Sequence, residues 1–339
     1  MTLRSTSPEY TTPVMEVREL KRYFRPRGRG HGPVRAVDGV SLTLHRGEIT
    51  GLLGESGSGK STLGEVMVGL QWPTAGEILS RGMPVERGMS RSRWREFRRQ
   101  VQIMFQNPFE AVNPRFRLLD VVSEPLELNG VPRSERGEQV VSALERVGLS
   151  PPSEFLDRYP HELSGGQLQR ACIARALMLG PSVLIADEPV SMLDLSVRAG
   201  ILTLLEKLKF AQNMAVLLIS HDISTLVVVS DRLAVMYLGK IVEAGATDEV
   251  IATPSHPYLQ VLLNSVPTVH KSLFAQDKDG LDLKGDIPDA GNIPPGCRLW
   301  PRCPLAEEIC RAEIPELRLL KGTDSHVVAC HLLQEQSEP

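Results

Sequence analysis

One short string limits how this chain can fold more than any other. Residues 54–61 read Gly-Glu-Ser-Gly-Ser-Gly-Lys-Ser and fit the pattern G-x-x-x-x-G-K-[ST]. The apolar run Ile49–Leu53 before it reads as a strand, and Lys60–Gly69 after it is helix-compatible. A strand, a glycine loop and a helix in that order make a phosphate cradle. The glycines let backbone N–H groups close around an anion, and the helix presents its positive end to it. In such a cradle Lys60 reaches the β- and γ-phosphates, and the Ser61 hydroxyl ligates Mg²⁺. The fold must therefore be α/β, with a strand feeding a helix at this loop.

Further strands support that class. Val183–Ala186 is apolar and ends in Asp187-Glu188. Ala215–Ser220 ends at His221, and Leu233–Tyr237 follows. Strands alternating with helices predict a sheet that is at least partly parallel. Asp187 is placed to hold Mg²⁺, and Glu188 to act as general base or to orient a water toward the γ-phosphate. His221 stands in the same relation to its strand and predicts a polar contact there. Between about 107 and 180 strand signals vanish, which predicts a helical subdomain inserted into the sheet.

The flanks are plainer. Residues 1–13 read as a loose leader, and Arg25–Pro33, basic and rich in Gly and Pro, as a solvated hairpin tip between strands. Residues 91–99 carry a basic run, expected as a wet helix face with Trp94 and Phe97 turned inward. Lys and Arg total 38 against 41 Asp and Glu, a net charge of −3 that argues against a nucleic-acid partner. No apolar run approaches the roughly 18 residues of a membrane-spanning helix, and the N-terminus lacks the apolar stretch of a signal peptide.

Downstream, Leu163-Ser164-Gly165-Gly166-Gln167 precedes Gln169-Arg170 and a helix expected over 170–179. A hydroxyl and two glycines at a helix start offer a second surface for an anion. The string resembles the signature motif of ABC-type ATPases. That resemblance implies a P-loop NTPase (RecA-like) core over 14–250, with ATP bound by Gly54, Glu55, Ser56, Gly57, Ser58, Gly59, Lys60, Ser61 and Thr62. It implies two chains paired head to tail, each ATP lying between one phosphate loop and the other chain's signature helix. Gln106 resembles the glutamine that senses Mg²⁺ and the attacking water, and His221 the switch histidine. Ser191-Met192-Leu193-Asp194 resembles the D-loop; Met192 departs from the usual alanine, and Asp194 is kept. An adenine-stacking aromatic is expected early, with Phe24 aligning best and Tyr23 beside it.

The last 90 or so residues, 251–339, are punctuated by prolines. His256-Pro257-Tyr258, Gly296-Cys297 and Pro301-Arg302-Cys303-Pro304 resemble the C-terminal extension of oligopeptide/dipeptide importer ATPases. Tyr159–Leu163 and Val235–Gly239 are closer to the F-type subunit than to the D-type. The resemblance implies a second ATPase subunit, two membrane permeases, an extracytoplasmic substrate-binding protein, and a position on the cytoplasmic face of the membrane. Alternative functions are an exporter ATPase, or a soluble ABC ATPase acting on DNA or ribosomes. A single ATPase module, no sustained heptads and the charge balance count against the soluble forms. Of five cysteines, Cys297, Cys303, Cys310 and Cys330 follow C-x5-C-x6-C-x19-C. Their spacing is wider than a zinc knuckle and favours a [4Fe–4S] cluster, with Zn²⁺ or unligated thiols as alternatives. His326 and His331 could serve zinc but are expected at the surface, and Cys172 is expected as a buried small hydrophobe.

Overall fold

The computed structural model describes residues 13–25, 32–265, 281–286, 288 and 290–334. The expected leader, but for Pro13, and residues 26–31 of the expected hairpin tip lie outside the described residues.

Strands run in chain order as β1 (Pro13–Phe24), β2 (Val34–His45), β3 (Ile49–Leu53), β4 (Ala75–Ser80), β5 (Met83–Pro84) and β6 (Val101–Met104). They continue as β7 (Val183–Asp187), β8 (Ala215–Ser220), β9 (Arg232–Tyr237), β10 (Lys240–Ala246), β11 (Arg318–Leu319) and β12 (Val327–Val328). Among the described residues they form two sheets: an antiparallel one in the order β2-β1-β4-β5, and an eight-stranded one in the order β11-β12-β10-β9-β3-β8-β7-β6. From β9 through β3, β8 and β7 to β6 every pairing is parallel. Strands β3, β7 and β8 are buried throughout, as continuous apolar runs are when a parallel sheet is covered on both faces.

Alternation across the pleat sorts these residues into two cores. Leu52, Val183, Ile185, Leu217 and Ile219 pack toward the antiparallel sheet and α1 (Lys60–Met67). Phe97 of α2 (Arg91–Gln100) joins them, with Trp94 stacked on it at 5.5 Å and on Trp72 at 5.4 Å. On the other face, Ile49, Leu53, Leu184, Ala186 and Leu218 meet α3 (Leu118–Leu128), α4 (Arg133–Arg146) and α5 (Gly165–Leu177). Cys172 packs against this second core, and burial pushes its thiol up to about 11. Then follow α6 (Leu195–Ala211), α7 (Ile223–Val229), α8 (Thr247–Ala252) and α9 (Pro257–Asn264). The tail adds α10 (Glu308–Ala312) and α11 (His331–Gln334). Among the described residues no helix is long and apolar enough to cross a membrane.

Three features differ from the sequence expectation. Helix α5 starts at Gly165, not 170, because Ser164 caps it: its Oγ accepts from Gln167 N at 3.2 Å while Gln167 Oε1 accepts from Ser164 N at 3.0 Å. The aperiodic tail extends the main sheet, β12 pairing with β10 through Glu243↔Val328 and Ala244↔Val327. His326 and His331 are buried rather than superficial. His326 Nε2 lies 2.8 Å from Glu243 Oε1, both side chains fully enclosed, and Glu243 also accepts from the backbone N–H groups of Ser255 and His256. A buried carboxylate needs such donors, and the cost of leaving it bare explains why a tail histidine is drawn inside.

Candidate functional site

Four adjacent parallel strands deliver the chemistry at one edge. In the order β3-β8-β7-β6 their C-terminal ends lead into the phosphate loop, into His221, into Asp187-Glu188 and, two residues past β6, into Gln106. Neighbouring strands sit roughly 4.8 Å apart, so residues spread from 54 to 221 converge. The C-terminal edge of such a sheet is where ligands of this architecture bind.

The loop itself is shaped by its surroundings. Gly59 has φ of 103°, and a Cβ there would lie 1.9 Å from the carbonyl oxygen of Ala36, so β2 runs too close for any side chain. Lys60 is buried, and its Nζ donates to Gly54 O at 2.7 Å, Glu55 O at 2.9 Å and Ser58 Oγ at 3.4 Å. Burial lowers the pKa of its ammonium, against the pull of Glu188, Asp187 and Glu55.

Asp187 is also buried, which raises its carboxyl pKa; a hydrogen bond from Ser61 works the other way, and Glu188 adds to the rise. Its Oδ1 accepts no hydrogen bond. An enclosed carboxylate oxygen without a donor, beside the Ser61 hydroxyl, suits a hard cation with oxygen ligands. Glu188 adopts a left-handed backbone at φ 45°, a costly conformation for a non-glycine residue and typical of functional turns. Its N–H donates to Ile219 O at 2.9 Å, and its carbonyl accepts from Ser191 Oγ at 3.1 Å. Its carboxylate lies between Gln106 Nε2 at 3.4 Å and His221 Nδ1 at 2.8 Å.

The signature string is elsewhere. Leu163 is buried, while the exposed Ser164 and the half-buried start of α5 sit with α3, α4 and α6; the phosphate loop's helix α1 packs on β1, β2 and β7. A Cβ on Gly166 would lie 2.5 Å from Val197 Cγ1 of α6, and one on Gly165 3.4 Å from Leu193 Cδ2. Asp194 stands at the N-cap of α6 with no side-chain cap bond. Met192 and Leu195 around it are 60% and 82% exposed. At the other end, the hydroxyl of Tyr23 is tied to Asp38, and burial with that carboxylate pushes the phenol up to about 12. The Phe24 ring has the Arg22 guanidinium 4.5 Å from its centroid.

Sequence reading missed the tail's contacts with this site. Tyr258 and Arg302 both bind Glu55, and Arg298 binds Asp38. The tail thiols gather in part, Cys297 N donating to Cys310 O at 2.8 Å. Burial, with the neighbouring sulfurs adding, pushes Cys297 up to about 11 and Cys330 up to about 12, and raises Cys303. Among the described residues no three or more His, Cys, Asp or Glu side chains form a metal-holding group. The expected ligation of a [4Fe–4S] cluster or zinc by Cys297, Cys303, Cys310 and Cys330 is thus not supported. Burial favours the neutral thiol at Cys297, Cys303 and Cys330; Cys310 and Cys330 are buried, and Cys297 and Cys303 pack against the core.

Known proteins carry the same architecture. Residues 37–191 match the family model for ABC transporters, and 242–310 match that for the oligopeptide/dipeptide transporter C-terminal region. The chain is 44% identical over 324 residues to the oligopeptide transport ATP-binding protein AppF of Bacillus subtilis, covering 94% of this chain and 97% of that one. It is 42% identical to the di/tripeptide transport ATP-binding protein DppF of Pseudomonas aeruginosa, over 94% of this chain and 97% of the relative. A solved dimeric structure of the ATP-binding cassette MJ0796, bound to ADP and Pi, superposes with a TM-score of 0.61 at 26% identity, covering 69% of this chain and 98% of that one. Phosphate loop, signature string and tail together agree with these matches: the chain belongs to the ABC transporter ATP-binding proteins of the oligopeptide/dipeptide transporter family.

Proposed function

We propose that this chain binds and hydrolyses ATP to power the import of peptides through a membrane transporter. The observation that carries this is the Glu188 carboxylate, held between Gln106 and His221 at the strand ends beside the phosphate loop. Lys60 and the loop N–H groups of Gly54–Thr62 hold the β- and γ-phosphates. Glu188 takes a proton from the attacking water, assistance worth about 10²–10⁴-fold, and His221 keeps its carboxylate aimed. Ser61, Asp187 and Gln106 would hold Mg²⁺, a role that the donorless Asp187 Oδ1 fits. When bound, that ion neutralises charge on the β- and γ-phosphate oxygens. Phe24 stacks on adenine, with Tyr23, its hydroxyl tied to Asp38, as the alternative.

In the same reading Leu163–Gln167 and Asp194 serve a partner's ATP in a head-to-tail dimer. The exposed apolar Met192 and Leu195 beside the signature helix support this, as does the dimeric state of the MJ0796 cassette. The partner is a second ATPase subunit, and the pair sits under two permeases on the cytoplasmic face, supplied by a substrate-binding protein. We divide the chain into a leader (1–13), a nucleotide-binding domain (14–250, its helical part about 107–180) and an extension (251–339). The match over 242–310 favours import over export or work on DNA or ribosomes. For Cys297, Cys303, Cys310 and Cys330 the proposal is a [4Fe–4S] site, on the strength of four soft donors in one segment alone; it requires a closer gathering of them than the described residues show. Anaerobically purified protein should then be brown, with iron and sulfide near four per chain by the cluster's stoichiometry; a colourless, iron-free sample refutes it.

The functional test is reconstitution of the chain with its permeases in liposomes. ATP hydrolysis should rise with peptide and binding protein on the outside, and peptide should accumulate inside. Hydrolysis indifferent to peptide would overturn the import reading.

A further inference from the structure

Glu55, second residue of the phosphate loop, is held at three points, and two belong to the tail. Its N–H donates to the hydroxyl of Tyr258 at 2.9 Å. Its carboxylate takes both arms of Arg302, Oε2 at 3.0 Å from Nη1 and Oε1 at 3.5 Å from Nη2. Its carbonyl accepts from Lys60 Nζ. Tail, loop and phosphate-binding lysine are therefore joined through a single residue.

The tail groups are themselves well anchored. Tyr258 is fully buried, its ring 4.8 Å from that of Tyr237, and Arg302 is 8% exposed, with Nη1 3.4 Å from the Tyr237 hydroxyl. Arg302 leaves a turn closed by the N–H groups of Arg302 and Cys303, both donating to Leu299 O at 2.9 Å. From the start of that turn Arg298, also buried, donates to the carbonyl of Leu238 and the carboxylate of Asp38, which in turn holds the Tyr23 hydroxyl. One short tail segment thus sets a guanidinium on the phosphate loop and another on the strand that carries Tyr23 and Phe24. Forked guanidinium–carboxylate bonds are strong and fix geometry as well as energy.

We propose that Tyr258 and Arg302 are positioning residues that set the ATP affinity of the phosphate loop through Glu55. The inference rests on the reading of Gly54–Thr62 as the ATP loop. Neither residue reaches Glu188, so their loss should act on nucleotide binding and not on the chemical step. Whatever reshapes the Leu299–Cys303 turn, chemistry at Cys303 included, should act on ATP affinity by the same route.

The test uses the full-length chain, titrated with Mg–ATP against a fluorescent ATP analogue, and the assembled transporter for KM and kcat. Tyr258→Phe keeps the ring and removes the hydroxyl that accepts from Glu55 N; its ATP affinity should fall about fivefold, the equivalent of one hydrogen bond. Arg302→Met should cost about tenfold, as expected for a bond to a charged group, and Arg302→Lys should recover part of that. In each the KM for ATP rises while kcat stays within about twofold of the parent, a split that a general loss of structure would not produce. Adding Glu55→Ala to Arg302→Met should bring no further loss, because the two share one contact. An unchanged KM in Tyr258→Phe, or fully additive losses in the double variant, would overturn the proposal. Should Arg302→Met fail to fold, Tyr258→Phe decides alone. Lys60→Ala separates the two readings: if it still binds ATP, the reading of the loop fails; if it does not and Tyr258→Phe is silent, only the tail's role fails.

Discussion

His221 Nδ1 stands 2.8 Å from Glu188 Oε1, and Gln106 approaches the other oxygen of the same carboxylate at 3.4 Å. Glu188 has its backbone pinned to Ile219 and Ser191, so the carboxylate is aimed from both ends. Glu188→Gln keeps the shape and removes the carboxylate proposed as the base. Its kcat should fall about 10²–10⁴-fold with ATP affinity retained; His221→Ala should lower kcat less, because Gln106 still holds the side chain. Rapid-quench hydrolysis and equilibrium binding separate the two effects, and a Glu188→Gln variant with parental turnover would remove this residue from the chemistry.

The signature glycines make a separate prediction. A methyl group on Gly166 meets Val197 Cγ1 at 2.5 Å, so Gly166→Ala must displace the Val197 side chain or the start of α5. Each chain's own phosphate loop lies apart from this contact. ATP should therefore still bind to the isolated chain, while hydrolysis by the assembled pair drops at least about tenfold, as when an anion-binding helix end is misplaced. Trimming the obstacle in Gly166→Ala/Val197→Ala should restore part of the activity. No recovery would mean that the glycine is needed for room toward the partner's nucleotide and not toward Val197.

Much of this site was legible because its parts are contiguous. The string 54–61 carries its own strand and helix, and the apolar runs of β7 and β8 end at the residues that matter. Strand β6 was not: four residues, VQIM, give too short a pattern to separate from the basic helix before them. The start of α5 was misplaced because two glycines, each costing a helix about 1 kcal/mol, hid the Ser164–Gln167 capping pair that does mark it. The contacts of Arg302 with Glu55 and of Arg298 with Asp38 span 247 and 260 residues. Local periodicity carries no information about pairs so distant; the tail is brought home by tertiary contacts such as β12 on β10 and the Ser255 and His256 N–H groups on Glu243.

Asp187 sets stability against function. Burial raises its carboxyl pKa, so the folded chain disfavours the ionised form. A raised folded value gives stability that is present at acid pH and is lost as pH climbs through it. At pH 7, therefore, Asp187→Asn should melt higher than the parent when no nucleotide is present, by a few degrees. Mg²⁺-dependent hydrolysis should fall by at least about 10²-fold. Calorimetry at neutral pH decides the first half: a lower melting temperature would mean that the carboxylate is anchored by more than Ser61.

His256 predicts how the tail's hold depends on acid. Its ring is 2% exposed at the N-cap of α9, where Nδ1 accepts from Tyr258 N at 3.2 Å and must therefore be unprotonated. Burial pushes its pKa from 6.5 down to about 3. The unfolded chain takes up a proton as pH falls below 6.5, while the folded chain refuses it until about 3. Stability contributed here is thus whole above pH 6.5 and drains away through that window. His256→Asn supplies an amide oxygen for the same cap without a titrating group. Melting temperatures of parent and variant should run level above neutrality and separate between pH 6 and 4, the parent falling faster. Parallel curves across that range would show that His256 is not the group that titrates.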